Sequence, residues 1–224
     1  MKSSIFGRVF SIAAENTPIP GCTVSGKMIE HGGAVITNFA LARNTSISAE
    51  RYPRTVLYIG ASGKTRAEIQ DSEESAREVV FGEGELLVVR SNVDVGFFAE
   101  EDSVYTETLI GKETNMNSVI KAGEVFQLKE LVPYREGKIV NLDVIDDPSV
   151  KLVVMAFDDG CSLSEHAAPG EAVIFALDGE GVIGYNGRKH PIKAGENFVF
   201  AKGGLHSVEA NGKFKMALLL TLGA

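Results

Sequence analysis

Two histidines, His166 and His206, are the residues of this chain whose type and spacing could do chemistry. His166 precedes a Pro169-Gly170 turn and an apolar run that ends at Asp178-Gly179, and His206 closes the stretch GENFVFAKGGLH. Short apolar runs bounded by Gly, Pro and Asp are typical of β-strands. A neutral imidazole can hydrogen-bond a ligand, take up a proton or coordinate a metal ion. The two stretches therefore predict a strand-lined pocket around this pair.

The composition predicts a soluble, acidic protein with room for a core. The chain has 224 residues, 44% of them hydrophobic, and a formal net charge of −8. That charge argues against a nucleic-acid or anionic-membrane partner, since phosphates need a basic surface. No run approaches the roughly 18–20 apolar residues of a membrane helix. Cys22 and Cys161 are too few and too far apart for a disulfide framework, so we expect free thiols and a cytoplasmic location.

The strands that must position the histidines are predicted from apolar alternation. Val104–Ile110 alternates as if one face were buried and the other wet. The acidic stretch Ala67–Val79 is predicted to be a solvated loop or one short surface helix. The polar stretch Gly111–Asn117 is the candidate linker. Strands are predicted in the first half at residues 5–14, 24–31, 34–43, 54–60, 84–90, 93–99 and 104–110.

An internal repeat divides the chain into two similar halves. Moving the first half by 116 residues places Ser48 on Ser164, Pro53 on Pro169 and Gly63 on Gly179. Further along, Gly84-Glu85 falls on Gly195-Glu196 at an offset of 111. Separated matches in one order favour an internal duplication. We therefore predict two β domains, at residues 1–112 and 113–224.

The second half resembles the cupin superfamily, whose small β-barrels carry the motifs G-x5-H-x-H-x3,4-E-x6-G and G-x5-P-x-G-x2-H-x3-N. The matching residues are Gly160, His166, Gly179, Gly195, Gly203 and His206, with Ala201 in place of the proline. EHAAPGEA and the later FKMALLLTL are similar to small bacterial conserved-barrel cupin proteins. The resemblance covers residues 118–224, and 1–112 only through the repeat. It implies an all-β bicupin, with two tandem cupin double-stranded β-helix (jelly-roll) barrels.

The departures from the motif bear on metal binding. Metal-binding cupins use two histidines and a glutamate of the first motif with the histidine of the second. Here Ala168 and Ala172 stand at two of those positions, so only His166 and His206 remain as ligands for a divalent metal ion. We therefore favour ordinary pocket histidines and keep a metal as the alternative. Glu165 and Glu171 neighbour ligand positions on a strand and should face away. His190, after a predicted hairpin turn, is expected to be exposed rather than a third ligand.

The first half retains no histidine at these positions. The repeat places Glu50 on His166, Tyr52 on Ala168 and Val95 on His206. This half is therefore expected to have a structural or dimerising role. A weaker alternative is a metal-free pocket with Glu50, Arg51, Tyr52 and Tyr58 at its mouth. His31 is predicted to lie in a loop.

Three functions remain open, and the first is favoured. In a small-molecule binding protein, His166 and His206 would hydrogen-bond an anionic or hydroxylated ligand. An enzyme would be a metal-dependent oxygenase or isomerase, or an acid–base catalyst with His166 accepting a proton and Tyr185 donating one. A scaffold would use the barrels to form a homodimer, the state expected in each case. Alternation predicts the pocket lining as Ala168, Ala172, Ile174 and Phe198, with Met216 or Leu218.

Overall fold

The computed structural model describes residues 5–72, 75–111 and 114–223, and almost all of its regular structure is β. The elements before residue 112 are β1 (Val9–Phe10), α1 (Ile12–Glu15), β2 (Thr23–His31), β3 (Ala34–Leu41), β4 (Ser46–Arg51), β5 (Val56–Ser62), β6 (Lys64–Ser72), β7 (Ser75–Gly82), β8 (Glu85–Val89), β9 (Asp94–Phe98) and β10 (Ser103–Leu109). The elements after it are β11 (Asn115–Met116), β12 (Val125–Gln127), a 3-10 helix (Leu128–Glu130), β13 (Ile139–Asp146), β14 (Val150–Phe157), β15 (Ser162–Ala167), β16 (Glu171–Tyr185), β17 (Arg188–Lys193), β18 (Asn197–Phe200) and β19 (Leu205–Thr221).

Residue contacts divide the chain into two units. The N-terminal unit is Ile12–Gln127, and the C-terminal unit is the chain from Leu128 onward with the residues before Ile12. The division lies at Gln127, whereas the sequence places the domain boundary between residues 112 and 113, which are outside the described residues. The C-terminal unit includes the first strand because β1 pairs with β18. None of the helices in the described ranges is long and apolar enough to cross a membrane.

The N-terminal unit contains two antiparallel sheets. One has the strand order β12-β8-β5-β10-β3-β2 and the other β4-β9-β6-β7. The chain passes from β5 into β6 through Gly63, which has a φ of 60°. A Cβ at Gly63 would overlap the carbonyl oxygen of Asp102, so only glycine fits this bend. The bend brings the apolar faces of both sheets into one core, which contains Tyr58, Phe81 and Phe97.

In the C-terminal unit the long strands β16 and β19 replace pairs of consecutive shorter strands such as β5 and β6. The sheet order is β1-β18-β16-β19-β14-β13, with β15 beside β19 and β17 beside β16. Register irregularities interrupt the β16–β19 ladder on both sides of Gly179. Gly179 has a φ of 68°, and a Cβ there would overlap the carbonyl oxygen of Lys213. This is the same bend as at Gly63, displaced by the predicted 116 residues.

The strand ladders repeat between the units with the predicted offsets. In the N-terminal unit β4 pairs with β9 as Ile47↔Phe97 and then, past an irregularity, as Glu50↔Val95. In the C-terminal unit β15 pairs with β19 as Leu163↔Val208 and then, past the same irregularity, as His166↔His206. The first partners differ by 116 residues and the second partners by 111. The repeat alignment of Glu50 with His166 and of Val95 with His206 is therefore confirmed.

A second ladder repeats in the same way. Tyr58 pairs with Leu87 between β5 and β8, and Ile174 pairs with Phe198 between β16 and β18. The offsets are again 116 and 111. The two units therefore share both a strand order around their interiors and the register of those strands.

Several local predictions from the sequence are wrong. Ala67–Val79 is neither a loop nor a helix but falls in the hairpin β6–β7, whose residues 73 and 74 are outside the described residues. Thr65, Ala67 and Ile69 are buried while the residues between them face outward, a period-two alternation that the acidic composition masked. Residues 5–14 contain only a two-residue strand followed by α1.

Two further predictions are corrected. Val104–Ile110 has no wet face, because Tyr105 and Glu107 are buried on one side of β10 and Thr106 and Thr108 on the other. His31 is not in a loop but ends β2, paired with Ala34. The candidate linker at 111–117 includes residues 112 and 113, outside the described residues, and β11.

Candidate functional site

The His166–His206 pair is built by strands β15 and β19. The two residues are direct partners in the antiparallel ladder, and their ring centroids lie 4.1 Å apart with the planes inclined by 53°. Directly opposed residues in a sheet project from the same face, so the register itself places both imidazoles together. The structure therefore brings together the two histidines that the motif spacing singled out.

Each histidine is held by a backbone carbonyl two residues earlier in the chain. Nδ1 of His166 is 2.8 Å from the carbonyl oxygen of Ser164, and Nδ1 of His206 is 3.2 Å from that of Gly204. A carbonyl can only accept, so each Nδ1 carries the proton. In the neutral ring this leaves the lone pair on Nε2. The pair therefore presents two hydrogen-bond acceptors, the Nε2 atoms of both rings.

The two histidines differ in exposure. His166 is exposed, whereas His206 is only 5% exposed and stacks on Phe200 with ring centroids 4.1 Å apart. Burial lowers the pKa of His206, the hydrogen bond to Gly204 opposes this, and the nearby His166 lowers the pKa further. Burial and the neighbouring His166 together outweigh the hydrogen bond, so the uncharged ring is favoured at neutral pH. His206 is therefore an acceptor rather than a cation.

The predicted lining residues lie in one apolar cluster of the C-terminal unit. Ala168, Ala172, Ile174, Phe198 and Met216 are all buried members of that cluster, and Leu218 packs against it half-buried. Phe198 and Phe200 approach with ring centroids 5.0 Å apart. The interior beside the histidines is thus methyl groups and aromatic rings. A ligand that reaches it must offer apolar surface as well as polar groups.

Tyr185, the possible proton donor, and His190, weighed above as a third ligand, lie near this interior. Tyr185, a buried strand partner of His206, accepts a hydrogen bond from the Ala201 amide at 3.2 Å through its hydroxyl. Its hydroxyl is thus already engaged on the side of Ala201. His190 is half-buried rather than exposed, with its ring 5.2 Å from Phe198, because β17 folds back on β16.

The residues present do not supply the ligand set of a metal-binding cupin. Ala168 and Ala172 place methyl groups where two ligands would be, and Glu165 is exposed. Within residues 5–72, 75–111 and 114–223, no three His, Cys, Asp or Glu side chains come together so that they could hold a metal ion. Two imidazoles alone leave most of a divalent ion's coordination to water.

The same ladder position in the N-terminal unit carries different chemistry. Glu50 stands opposite Val95, where the C-terminal unit has its two histidines. The hydroxyl of Tyr52 donates a hydrogen bond to the Glu50 carboxylate. Glu107 on β10 joins this group, and the sequence reasoning missed it. The repeat could have found it, because an offset of 111 places Glu107 on Leu218, a predicted lining position.

Known proteins resemble this chain in sequence and in fold. Residues 153–222 match the cupin domain family. Among solved structures, the chain is similar to the cupin 2 conserved barrel domain protein from Leptotrichia buccalis. The identity is 27% and the TM-score 0.84, over 96% of this chain and 97% of that one. Together these findings support the cupin superfamily and its β-barrel, jelly-roll type of fold.

More distant cupin-like structures share the fold. Two variants of oxalate decarboxylase from Bacillus subtilis match at 12% identity and a TM-score of 0.58, over 98% of this chain and 78% of theirs. At that identity the likeness concerns the fold alone. None of the curated protein sequences matches this chain significantly.

Proposed function

We propose that this chain is a bicupin that binds a small hydroxylated molecule at the His166–His206 pair. The two tandem barrels of the proposal correspond to the two units. Support for them comes from the ladders Glu50↔Val95 and His166↔His206, which recur with the same irregularity. A homodimer and a cytoplasmic location remain predictions.

The observation that carries the choice of ligand is the anchoring of both Nδ1 atoms by carbonyls. Each neutral ring then accepts a hydrogen bond through Nε2, and a ligand hydroxyl is the matching donor. An anion held by charged imidazoles at both positions would need a protonated His206, and burial of His206 disfavours that state. Of the two ligand classes that the sequence left open, the hydroxylated one is therefore favoured over the anionic one.

The apolar interior favours a ligand with a polar edge and an apolar body. Ala168 and Ala172 remove polar groups from two positions, and Phe198 and Phe200 add aromatic surface. Sugars and cyclic polyols have this character, since their C–H faces pack on aromatic rings while their hydroxyls bind polar groups.

The test compares neutral polyols with matched acids. Thermal unfolding is measured with glucose and gluconate, and with glycerol and glycerate, on wild type, His166→Ala and the control His31→Gln in the N-terminal unit. A ligand at one hundred times its Kd stabilises by about 2.7 kcal/mol. We expect stabilisation by a neutral member, its loss in His166→Ala and its retention in His31→Gln.

Other outcomes select the alternatives. Stabilisation by the acids alone would contradict the acceptor assignment. Near-stoichiometric Mn, Fe, Ni, Cu or Zn in untagged protein, lost in His166→Ala, would replace this proposal with a metal-dependent cupin enzyme. Stabilisation by neither acids nor polyols, together with a dimer unchanged by His166→Ala, would favour the scaffold.

A further inference from the structure

A buried carboxyl group, Glu107, lies inside the N-terminal unit among phenols. Glu107 is 7% exposed and lies on β10 two residues after the buried Tyr105. The half-buried Tyr52 hydroxyl, which donates to Glu50, also interacts with the Glu107 carboxyl. Glu50 is exposed at the end of β4, so the group runs from the surface inward.

The Tyr58 hydroxyl faces the same group without a partner. Tyr58 is 0% exposed, and its oxygen makes no hydrogen bond of standard geometry within the described chain. The Glu107 carboxyl is nonetheless near enough to raise the pKa of Tyr58, after the larger effect of burial. A buried hydroxyl left without a hydrogen bond is costly, so it marks a position where a partner is missing.

The rings of Tyr58 and Tyr105 belong to a cluster of packed aromatic side chains. The ring centroid of Tyr58 is 4.9 Å from that of Phe97 and 5.9 Å from that of Tyr105. Phe81 and Phe39 pack on Tyr105 at 5.6 and 5.2 Å. Aromatic faces carry negative potential and attract cations.

Within the described part of the chain, no positive charge acts on the pKa of this group. Burial and, to a smaller extent, the Glu50 carboxylate raise the pKa of Glu107 to about 7, against the opposing effect of the nearby Tyr58 and Tyr52 hydroxyls. Every group that acts on the pKa of Glu107, Tyr52, Tyr58 or Tyr105 is a carboxyl or a phenol. The neighbouring Arg51 is engaged elsewhere, in a two-point pair with Asp94 at 2.6 and 2.7 Å.

We propose that Glu50, Tyr52, Tyr58 and Glu107 form a binding site in the N-terminal unit for a small organic cation of the alkylammonium class. The carboxylates supply the opposite charge, the Tyr58 oxygen can accept an N–H, and the neighbouring aromatic rings attract the charge of the nitrogen and its alkyl groups. Among the described residues no three carboxyl, imidazole or thiol side chains gather to hold a metal ion, which favours an organic cation over an inorganic one.

The repeat shows that this site belongs to one unit alone. Offsets of 116 and 111 place Tyr52, Tyr58 and Glu107 on Ala168, Ile174 and Leu218, which are all apolar. The duplicated interior is therefore polar and anionic in one unit and apolar beside a histidine pair in the other. The two units would bind different ligands.

The test is isothermal titration of the full chain with ethylammonium chloride, tetramethylammonium chloride and the neutral compound tert-butanol, at constant ionic strength. We expect both cations to bind and tert-butanol not to bind. Between pH 6 and pH 8 the affinity for each cation should rise about tenfold, because a carboxyl with a pKa near 7 becomes ionised over that range. Glu50, Tyr52, Tyr58 and Tyr105 are the titratable groups that face Glu107.

Variants locate the site and separate its parts. Glu107→Gln should weaken both cations at least tenfold at pH 8, while Glu101→Gln, an exposed carboxyl of the same unit, should change neither. Tyr58→Phe should weaken ethylammonium severalfold and leave tetramethylammonium unchanged, since only ethylammonium has an N–H to donate. Thermal melts establish that each variant is folded.

The opposite results overturn the proposal. Equal binding by Glu107→Gln and wild type, or equal affinity at pH 6 and pH 8, would exclude Glu107 as the anionic partner. Binding of MgCl2 or MnCl2 without binding of either ammonium salt would assign the site to an inorganic ion instead. No binding of any cation by folded wild type would leave the acidic group as a structural feature.

Discussion

Replacing Glu107 with Gln should stabilise the N-terminal unit, and the gain should grow with pH. Glutamine resembles the protonated carboxyl in shape and carries no charge. Burial raises the pKa of Glu107 from its ordinary 4.5 to about 7. The folded protein therefore holds a proton that the unfolded chain releases. The stability that the protonated Glu107 preserves is fully present below pH 4.5 and is lost as the pH rises through 7.

The magnitude follows from that difference. About 2.5 pH units at 1.36 kcal/mol each make ionisation of Glu107 cost about 3 kcal/mol in the folded state above pH 7. At pH 5 the cost is below about 1 kcal/mol, because that pH lies only about half a unit above the pKa of the carboxyl in the unfolded chain. Glu107→Gln should thus be more stable than wild type by about 3 kcal/mol at pH 8 and by under about 1 kcal/mol at pH 5.

Urea unfolding followed by circular dichroism measures this difference at both pH values. Because variant and wild type are compared at each pH, the contributions of the other carboxyls and of the histidines to the free energy of unfolding cancel. Glu101→Gln, an exposed residue of the same unit, is the control and should follow wild type within about 0.5 kcal/mol. Parallel stability curves for Glu107→Gln and wild type from pH 5 to pH 8 would refute the buried, uncompensated carboxyl.

Two further predictions concern the C-terminal unit. Gly179→Ala should cost at least about 2 kcal/mol more than Gly160→Ala: both positions have positive φ, but only at Gly179 would the new Cβ overlap a carbonyl oxygen. Equal urea midpoints for the two variants would contradict that packing. Lys215→Met should cost about 1–3 kcal/mol, because the buried Lys215 donates to the Lys129 carbonyl at 2.6 Å and lies over the Tyr134 ring. The exposed Lys213, near the same ring, is the control, and Lys213→Met should change stability by less than about 0.5 kcal/mol.

The sequence predicted the ladders well because glycine and proline matches report backbone geometry. Gly63 and Gly179 occupy the same bend, where a side chain would overlap a carbonyl in both units. An alignment that superposes them also superposes the strands on either side. That is why Glu50 and His166 were placed correctly although their side chains have nothing in common.

The hairpin β6–β7 is hard to predict from the sequence because its acidic composition resembles that of a solvated segment. Arg66 and Glu78 face outward and form an ion pair at 2.8 Å across the two strands. Such outward charges make a half-buried strand look like a solvated segment when their spacing is not counted. The buried positions Ala67 and Ile69 alternate with them and carried the strand signal.

Glu107 escaped prediction because its surroundings are assembled from distant parts of the chain. Its neighbours Tyr52 and Tyr58 come from around β5, and β10 follows more than forty residues later. In the sequence, Glu107 stands between two threonines and looks like the wet face of a strand. In the fold, Glu107 shares a face of β10 with Tyr105, two residues earlier, and the Tyr105 ring lies in the apolar core of the unit.

The ring tautomers of His166 and His206 test the proposed function most directly, because they need no knowledge of the ligand. Long-range ¹H–¹⁵N correlation spectra at pH 8, where imidazoles are ordinarily neutral, distinguish protonated from unprotonated ring nitrogens. The account predicts a proton on Nδ1 and a free lone pair on Nε2 in both histidines. A proton on Nε2 of His206, or a His206 still charged at pH 7, would contradict an acceptor site for a hydroxylated ligand.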